Sequence, residues 1–322
     1  MDVPQLTEYP PPLHVAGLIG LSVATIILNG LIFHRTLVPV RRLRTLDVVA
    51  VNAIATLLNY LPFKMSIISR VLIHNRRDGL PLGQIAGWLA AVGVGGMISF
   101  GPIALVSMWR GEMDAIWFAA SGAGVVSLAV LTVALSRYFG GERGKRRIEQ
   151  LVAALRVPMG QRALDTALVT EAHQGLDMLG HTRTVAAVVG IRLGDLAVQA
   201  ARFVVAAALL DVAFSPGQAT LFAVVYFFIG VVSPAGMLGT REGGTIAFAA
   251  MLGMSESEYS ALAPVLLLVT ATEVIGAFVM ASLSIAWLRP DKLLKMKAGN
   301  SRTNAEAADT PDNVGSGDSP SV

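Results

Sequence analysis

Six apolar runs, most of them long enough to cross a hydrocarbon layer, dominate this chain of 322 residues. They cover residues 13–33, 84–108, 115–136, 185–210, a shorter run at 219–232, and 261–288. A transmembrane helix needs roughly 20 consecutive apolar residues. In lipid, every backbone polar group must be satisfied within the chain. Composition agrees, with 54% apolar and 15% charged residues; soluble domains carry roughly a quarter charged. The chain therefore reads as all-α, a polytopic membrane protein.

Two further apolar stretches are too short or too interrupted to cross, and they decide the topology. Residues 48–63 run into "LPFK" and stop, and residues 245–253 follow "SPAGMLGTREGG". Basic residues cluster after the first run (Arg35, Arg41, Arg42, Arg44), at Arg76 and Arg77, across 137–183, and from Arg289 to Arg302. The positive-inside rule places all four clusters in the cytoplasm. Simple alternation of spans cannot satisfy this. The conflict disappears if residues 48–73 enter from the cytoplasm, break near Pro62 and return. It also requires residues 219–253 to enter from outside, break at the Gly-rich segment and return. Proline ends a helix by removing a donor and by steric clash, and glycine permits the tight turn. Pro62, Pro234, Gly236 and Gly239 are the expected turn residues.

The resulting plan is a pair of inverted repeats with two opposed re-entrant hairpins, an organisation shared by many transporters. An extracytoplasmic tail covers 1–12. Membrane half 1 covers 13–139, with a span, the hairpin and two spans. A cytoplasmic amphipathic linker follows at 140–184. Membrane half 2 covers 185–288, with a span, the hairpin and a span. The remainder, 289–322, reads as a basic and then disordered cytoplasmic tail, poor in the apolar residues a core needs. In the linker, "RRIEQLVAALR" sets Ile148, Leu151, Val152 and Leu155 on one face with Arg146, Arg147 and Arg156 beside it. That pattern suits a helix lying on an anionic leaflet and equally a solvated connecting helix.

Ionisable residues at membrane depth are few and expensive, roughly 2.5–3.5 kcal/mol each on insertion scales. They are Lys64, Arg70, Arg192, Asp195, Arg202, Arg241, Glu242 and Glu273. In "IRLGDLAVQAARF", Arg192, Asp195, Gln199 and Arg202 are spaced three, four and three apart, which places them on one helical stripe. The stripe reads either as a polar track facing a cavity or as a structural Arg–Asp pair with a snorkelling Arg. Arg241 follows the Gly-rich break, where a fork of donors suits a phosphate. Glu242 is expected to orient it, to take a proton, or only to cap the short helix. Lys64 and Arg70 follow Pro62 and suit an anionic headgroup or, alternatively, an interfacial position. Glu273 has no basic residue near it in sequence. It is a candidate proton carrier unless an Arg from another helix pairs with it.

Several chemistries find no support. Cysteine is absent, which removes disulfides, thiolate catalysis and Cys-ligated metals. His14, His34, His74, His173 and His181 share no metal-ligand spacing. No nucleotide-binding, zinc-protease or serine-hydrolase motif occurs. No metal, cofactor, nucleic-acid partner or enzymatic activity is expected. The start "MDVPQLTEYPPP" lacks the basic n-region of a secretory signal.

The quoted motifs carry a resemblance. "VVSPAGMLGTREGG" resembles the Pro-Gly-Gly-x-Gly-x-Arg-Glu signature of the lysylphosphatidylglycerol synthase transmembrane family, also called flippase-like; Pro234, Gly236, Gly239, Arg241 and Glu242 fit it. "NYLPFKMSIISR" resembles the family's first-half motif through Asn59, Pro62, Lys64 and Arg70, with Ser66-Ile67 standing where the family has Gly-Glu. The resemblance implies a multi-span domain that moves amphiphilic lipids between leaflets. These residues hold no soluble synthase domain, so aminoacyl transfer is not expected.

The combined expectation is an integral protein of the cell membrane, N-terminus outside and C-terminus in the cytoplasm. It would translocate an anionic or zwitterionic lipid, with Arg241, Arg192 and Arg202 on the headgroup and Asp195 or Glu273 handling any coupled proton. Membrane lipids are the expected partners, with an envelope lipid-modifying enzyme as a further one. Two rivals stand beside this: an ion-coupled small-solute transporter on the same scaffold, and a non-transporting scaffold for envelope lipid metabolism.

Overall fold

The computed structural model describes residues 12–154, 167–233 and 236–289. Eleven helices account for most of them: α1 (Pro12–Leu37), α2 (Thr45–Leu58), α3 (Met65–Asp78), α4 (Leu82–Arg110), α5 (Ala115–Phe139), α6 (Gly141–Ala154), α7 (Ala167–Leu179), α8 (Thr182–Leu209), α9 (Pro216–Val232), α10 (Thr240–Met251) and α11 (Glu256–Leu288). Five of them, α1, α4, α5, α8 and most of α11, are long and apolar enough to cross a membrane. At 1.5 Å per residue each is at least about 37 Å long, more than the roughly 30 Å of a hydrocarbon core. Large apolar side chains remain outward on them, among them Phe118, Val130 and Leu131 on α5 and Leu267, Phe278 and Leu283 on α11. Apolar area of that extent needs lipid or protein against it. The chain is an all-α polytopic membrane protein.

The four helices α2, α3, α9 and α10 differ. With 14, 14, 17 and 12 residues, none exceeds about 26 Å. Each is half of a pair: α2 packs on α3, and α9 on α10. The first pair is broken at residues 59–64, where Phe63 (φ 64°) and Lys64 (φ 52°) are both left-handed. Proline disfavours helical backbone in the residue before it, which explains why α2 ends short of Pro62. The second pair is broken at 233–239, where Gly236 has φ 99° and Gly239 φ 77°. Pro234, expected to take part in this turn, lies outside the described residues.

The two breaks meet. The N–H of Met237 donates to the carbonyl of Asn59 at 3.0 Å. A Cβ at Gly236 would lie 3.0 Å from the carbonyl oxygen of Leu61. The ammonium of Lys64 donates to the carbonyl of Val231 at 2.6 Å. Carbonyls freed where each helix ends thus find donors on the opposite break.

Around the breaks, α1 lies against α2 and α8, while α4 lies against α5, α7, α8 and α9. The core carries Trp88, whose indole donates to the carbonyl of Phe33 at 2.9 Å and packs edge-on against Phe33 and His74. The linker is more structured than one surface helix. α6 covers most of the amphipathic stretch; Leu155 and Arg156 lie outside the described residues. α7 then docks on α4 so closely that a Cβ at Gly175 would sit 2.7 Å from the carbonyl oxygen of Gly87. Met178 and Leu179 are buried, so this half of the linker is part of the bundle.

Candidate functional site

A cavity of about 450 Å³ lies beneath the paired breaks. Seven candidates from the sequence line it: Lys64, Arg70, Arg192, Gln199, Arg202, Arg241 and Glu273. They come from α3 and the residue before it, from α8, α10 and α11. Asp195 and Glu242 are buried but do not line the cavity.

The α8 stripe forms as its spacing predicts, and all four of its side chains are buried. Arg192 donates to Asn29 at 2.7 Å and pairs with Asp195 at 3.4 Å. Asp195 also accepts from Asn29 at 3.2 Å and Gln199 at 3.0 Å. The Arg192 guanidinium stands 5.3 Å from the centre of the Phe227 ring, a cation–π distance. Arg202 does not snorkel. It is 2% exposed and reaches the carbonyl of Val269 at 2.9 Å and Glu273 at 3.0 Å.

Glu273 corrects one expectation. It is not a lone carboxylate: Arg202 donates to one oxygen and Arg241 to the other, at 3.0 and 3.1 Å. The alternative, an Arg partner from another helix, holds twice over. Asp195 is bonded by Arg192 and two carboxamides.

Glu242 corrects another. It accepts from the hydroxyl of Thr270, while the carboxylate partner of Arg241 is Glu273. Its second oxygen is buried and has no hydrogen-bond partner among the described residues. Arg241 is instead oriented by aromatics. Its guanidinium lies 4.0 Å from the centre of the Tyr226 ring and 3.3 Å from the Tyr60 hydroxyl. Tyr226 shares a 2.5 Å hydrogen bond with Thr270. A Cβ at Gly230 would fall 2.6 Å from Cδ of Arg241, so a bare α-carbon on α9 gives this side chain its room.

Arg70 differs from the other arginines. It donates to Asn52 at 2.6 Å and lies 4.1 Å from the centre of the Phe33 ring, and it has no ion pair among the described residues. Asn52 is fixed in turn by the carbonyl of Ile26 at 2.8 Å.

Asn29, Asn52, Tyr60, Tyr226 and Thr270 all hold the charged residues in place, and the sequence does not single them out. The available signal was a carboxamide inside an apolar run, at Asn29 and Asn52; each supplies a partner to an Arg on another helix. Among the described residues, no three His, Asp or Glu side chains gather as metal ligands.

The remaining wall is apolar, with Ile26, Phe33, Leu89, Val92 and Phe227. Ile67, Met97, Val231 and Val232 line the cavity and are also exposed at the surface, so the apolar wall continues to the outside. The arrangement provides strong hydrogen-bond donors and positive charge beside an apolar wall.

A bundle of apolar spans around a cationic chamber defines a polytopic membrane protein with an internal polar site. More narrowly, the chain belongs to the family of the lysylphosphatidylglycerol synthase TM region, whose model matches residues 3–287. Among curated proteins and among solved structures, none matches the chain.

Proposed function

We propose that this protein carries an amphiphile with an anionic or zwitterionic phosphate headgroup between the leaflets of the cell membrane. One observation supports this above the rest: a buried cavity that joins five cationic side chains to an apolar wall reaching the surface. The guanidiniums of Arg192, Arg202 and Arg241 would hold the headgroup, since planar N–H forks match phosphate oxygens. The exposed apolar rim at Ile67, Met97 and Val232 would let acyl chains remain in lipid. A purely water-soluble solute would have no use for that rim.

Movement would come from the two broken pairs. In this reading, α2–α3 enters from the cytoplasm and α9–α10 from outside, and the inverted halves rock about the shared cavity. Support comes from helices too short to cross, from their pairwise packing, and from the basic residues flanking α2–α3 at Arg41, Arg42, Arg76 and Arg77. The N-terminus is then outside and the C-terminus in the cytoplasm.

The test is a sidedness assay with full-length protein in liposomes, using short-chain fluorescent phosphatidate, phosphatidylglycerol and phosphatidylethanolamine quenched from outside. The expected result is a protein-dependent rise in quenchable probe, lost in Arg241→Gln. Probe movement no faster than in protein-free vesicles contradicts the proposal.

A further inference from the structure

The charge balance of the cavity narrows the headgroup, granting that the cavity holds a lipid. Lys64, Arg70, Arg192, Arg202 and Arg241 line it, and Glu273 is the lining carboxylate. Two more carboxylates lie behind the wall, Asp195 against Arg192 and Glu242 against Thr270. Five cations against three carboxylates leave a surplus of two positive charges. The surplus has an address: among the described residues, Arg70 bonds the neutral Asn52 and faces the Phe33 ring, and Lys64 bonds a backbone carbonyl. Neither forms an ion pair among the described residues.

Hydrogen-bonding capacity points the same way. The Nε atoms of Arg70, Arg192, Arg202 and Arg241 are buried with no acceptor among the described residues. Buried N–H groups are rarely left unmatched, and an unpaired buried donor on a charged group is costly. All four belong to residues that line the cavity, whereas the unmatched acceptors Asp195 Oδ1 and Glu242 Oε2 belong to residues behind its wall.

We infer that the cavity takes a phosphomonoester headgroup on a lipid tail. A phosphomonoester carries close to two negative charges near pH 7 and offers three strong acceptor oxygens. It cancels the surplus and supplies acceptors to the idle donors. A phosphodiester lipid brings one charge and leaves one of the two half-buried cations without a counter-charge. A zwitterionic lipid brings none. The tail is of either diacylglycerol or isoprenoid type; both present the same headgroup.

The experiment is equilibrium binding to the full-length chain in nanodiscs. The probes are phosphatidate, an isoprenoid monophosphate, phosphatidylglycerol, phosphatidylethanolamine and inorganic phosphate. At pH 7.5 at least one lipid monophosphate binds about tenfold more tightly than phosphatidylglycerol, and the tighter of the two identifies the tail. Its affinity weakens between pH 7.5 and 5.5, as the second phosphate proton, with a pKa of about 6, returns; that of phosphatidylglycerol does not. Lys64→Gln and Arg70→Gln each reduce the preference, and the pair together brings it to that of phosphatidylglycerol. Should the double variant fail to fold, the single Lys64→Gln and the wild-type pH profile still decide. Binding of phosphatidylglycerol within twofold of both monophosphates, or a flat pH profile, overturns the inference and leaves lipid carriage standing. Inorganic phosphate binding as tightly as the lipids also overturns it, by removing the tail. Lipid carriage itself fails only if no probe moves in the sidedness assay.

Discussion

The backbone N–H of Met237 donates to the carbonyl of Asn59 at 3.0 Å, tying the break of one short helix pair to the break of the other. The two residues lie far apart in sequence; Asn59 caps the end of α2 and Met237 lies just before α10. Asn59 and Lys64 of one break and Met237 of the other line the cationic cavity together.

Gly236 marks a close approach between the two breaks. Its φ of 99° is one that side chains disfavour, and an added Cβ would press on the carbonyl oxygen of Leu61 at 3.0 Å. Gly236→Ala is expected to cost about 1–3 kcal/mol through backbone strain. A lowered thermal midpoint in detergent, with slower lipid movement, is the outcome to measure.

Gly230 tests the position of Arg241 separately. A Cβ there would overlap Cδ of Arg241 at 2.6 Å, whereas a Cβ at Gly243 would meet nothing within 4 Å. Gly230→Ala is expected to displace the guanidinium and reduce lipid movement by about tenfold, with overpacking costing about 1–3 kcal/mol. Gly243→Ala keeps the wild-type rate.

Glu273 holds two guanidiniums at once. Glu273→Gln leaves both without their counter-charge, and breaking a buried ion pair from one side costs about 3–5 kcal/mol. The thermal midpoint of this variant should fall well below that of Glu242→Gln, because Glu242 bonds a hydroxyl and no cation.

The loop joining α4 to α5 supplies a pH signature. Asp114 accepts from the N–H of Trp117 at 2.7 Å and pairs with Arg110. Chiefly the Trp117 N–H, then Arg110, holds its carboxyl below the ordinary carboxylate range. A depressed value means the stabilisation is present above the unfolded value of about 4 and is lost as pH falls through the lower folded one. Wild-type protein should lose thermal stability more steeply below pH 4 than Asp114→Asn, measured by tryptophan fluorescence.

Much of this was legible in the sequence because it is local. The three-four-three spacing from Arg192 to Arg202 fixes a stripe on any helix, and Pro62 and the glycines at 236 and 239 fall at the two breaks. What a side chain bonds across the bundle is not local. Glu273 has no basic neighbour in sequence, yet two arginines from α8 and α10 converge on it. Glu242 adjoins Arg241 in sequence, yet it turns away to Thr270. The same holds for α7, whose docking on α4 depends on the close approach at Gly175.

The most direct test of the central claim, that both short pairs return to the side from which they start, is cysteine labelling. The chain has no native thiol, so single cysteines read out cleanly against a membrane-impermeant maleimide. Arg42→Cys and Arg76→Cys bracket α2–α3, and Ala213→Cys and Glu256→Cys bracket α9–α10. The account predicts that the first two react only from the cytoplasmic face and the last two only from the outer face. If the members of either set react from opposite faces, that pair crosses the membrane, and the opposed-hairpin account is wrong.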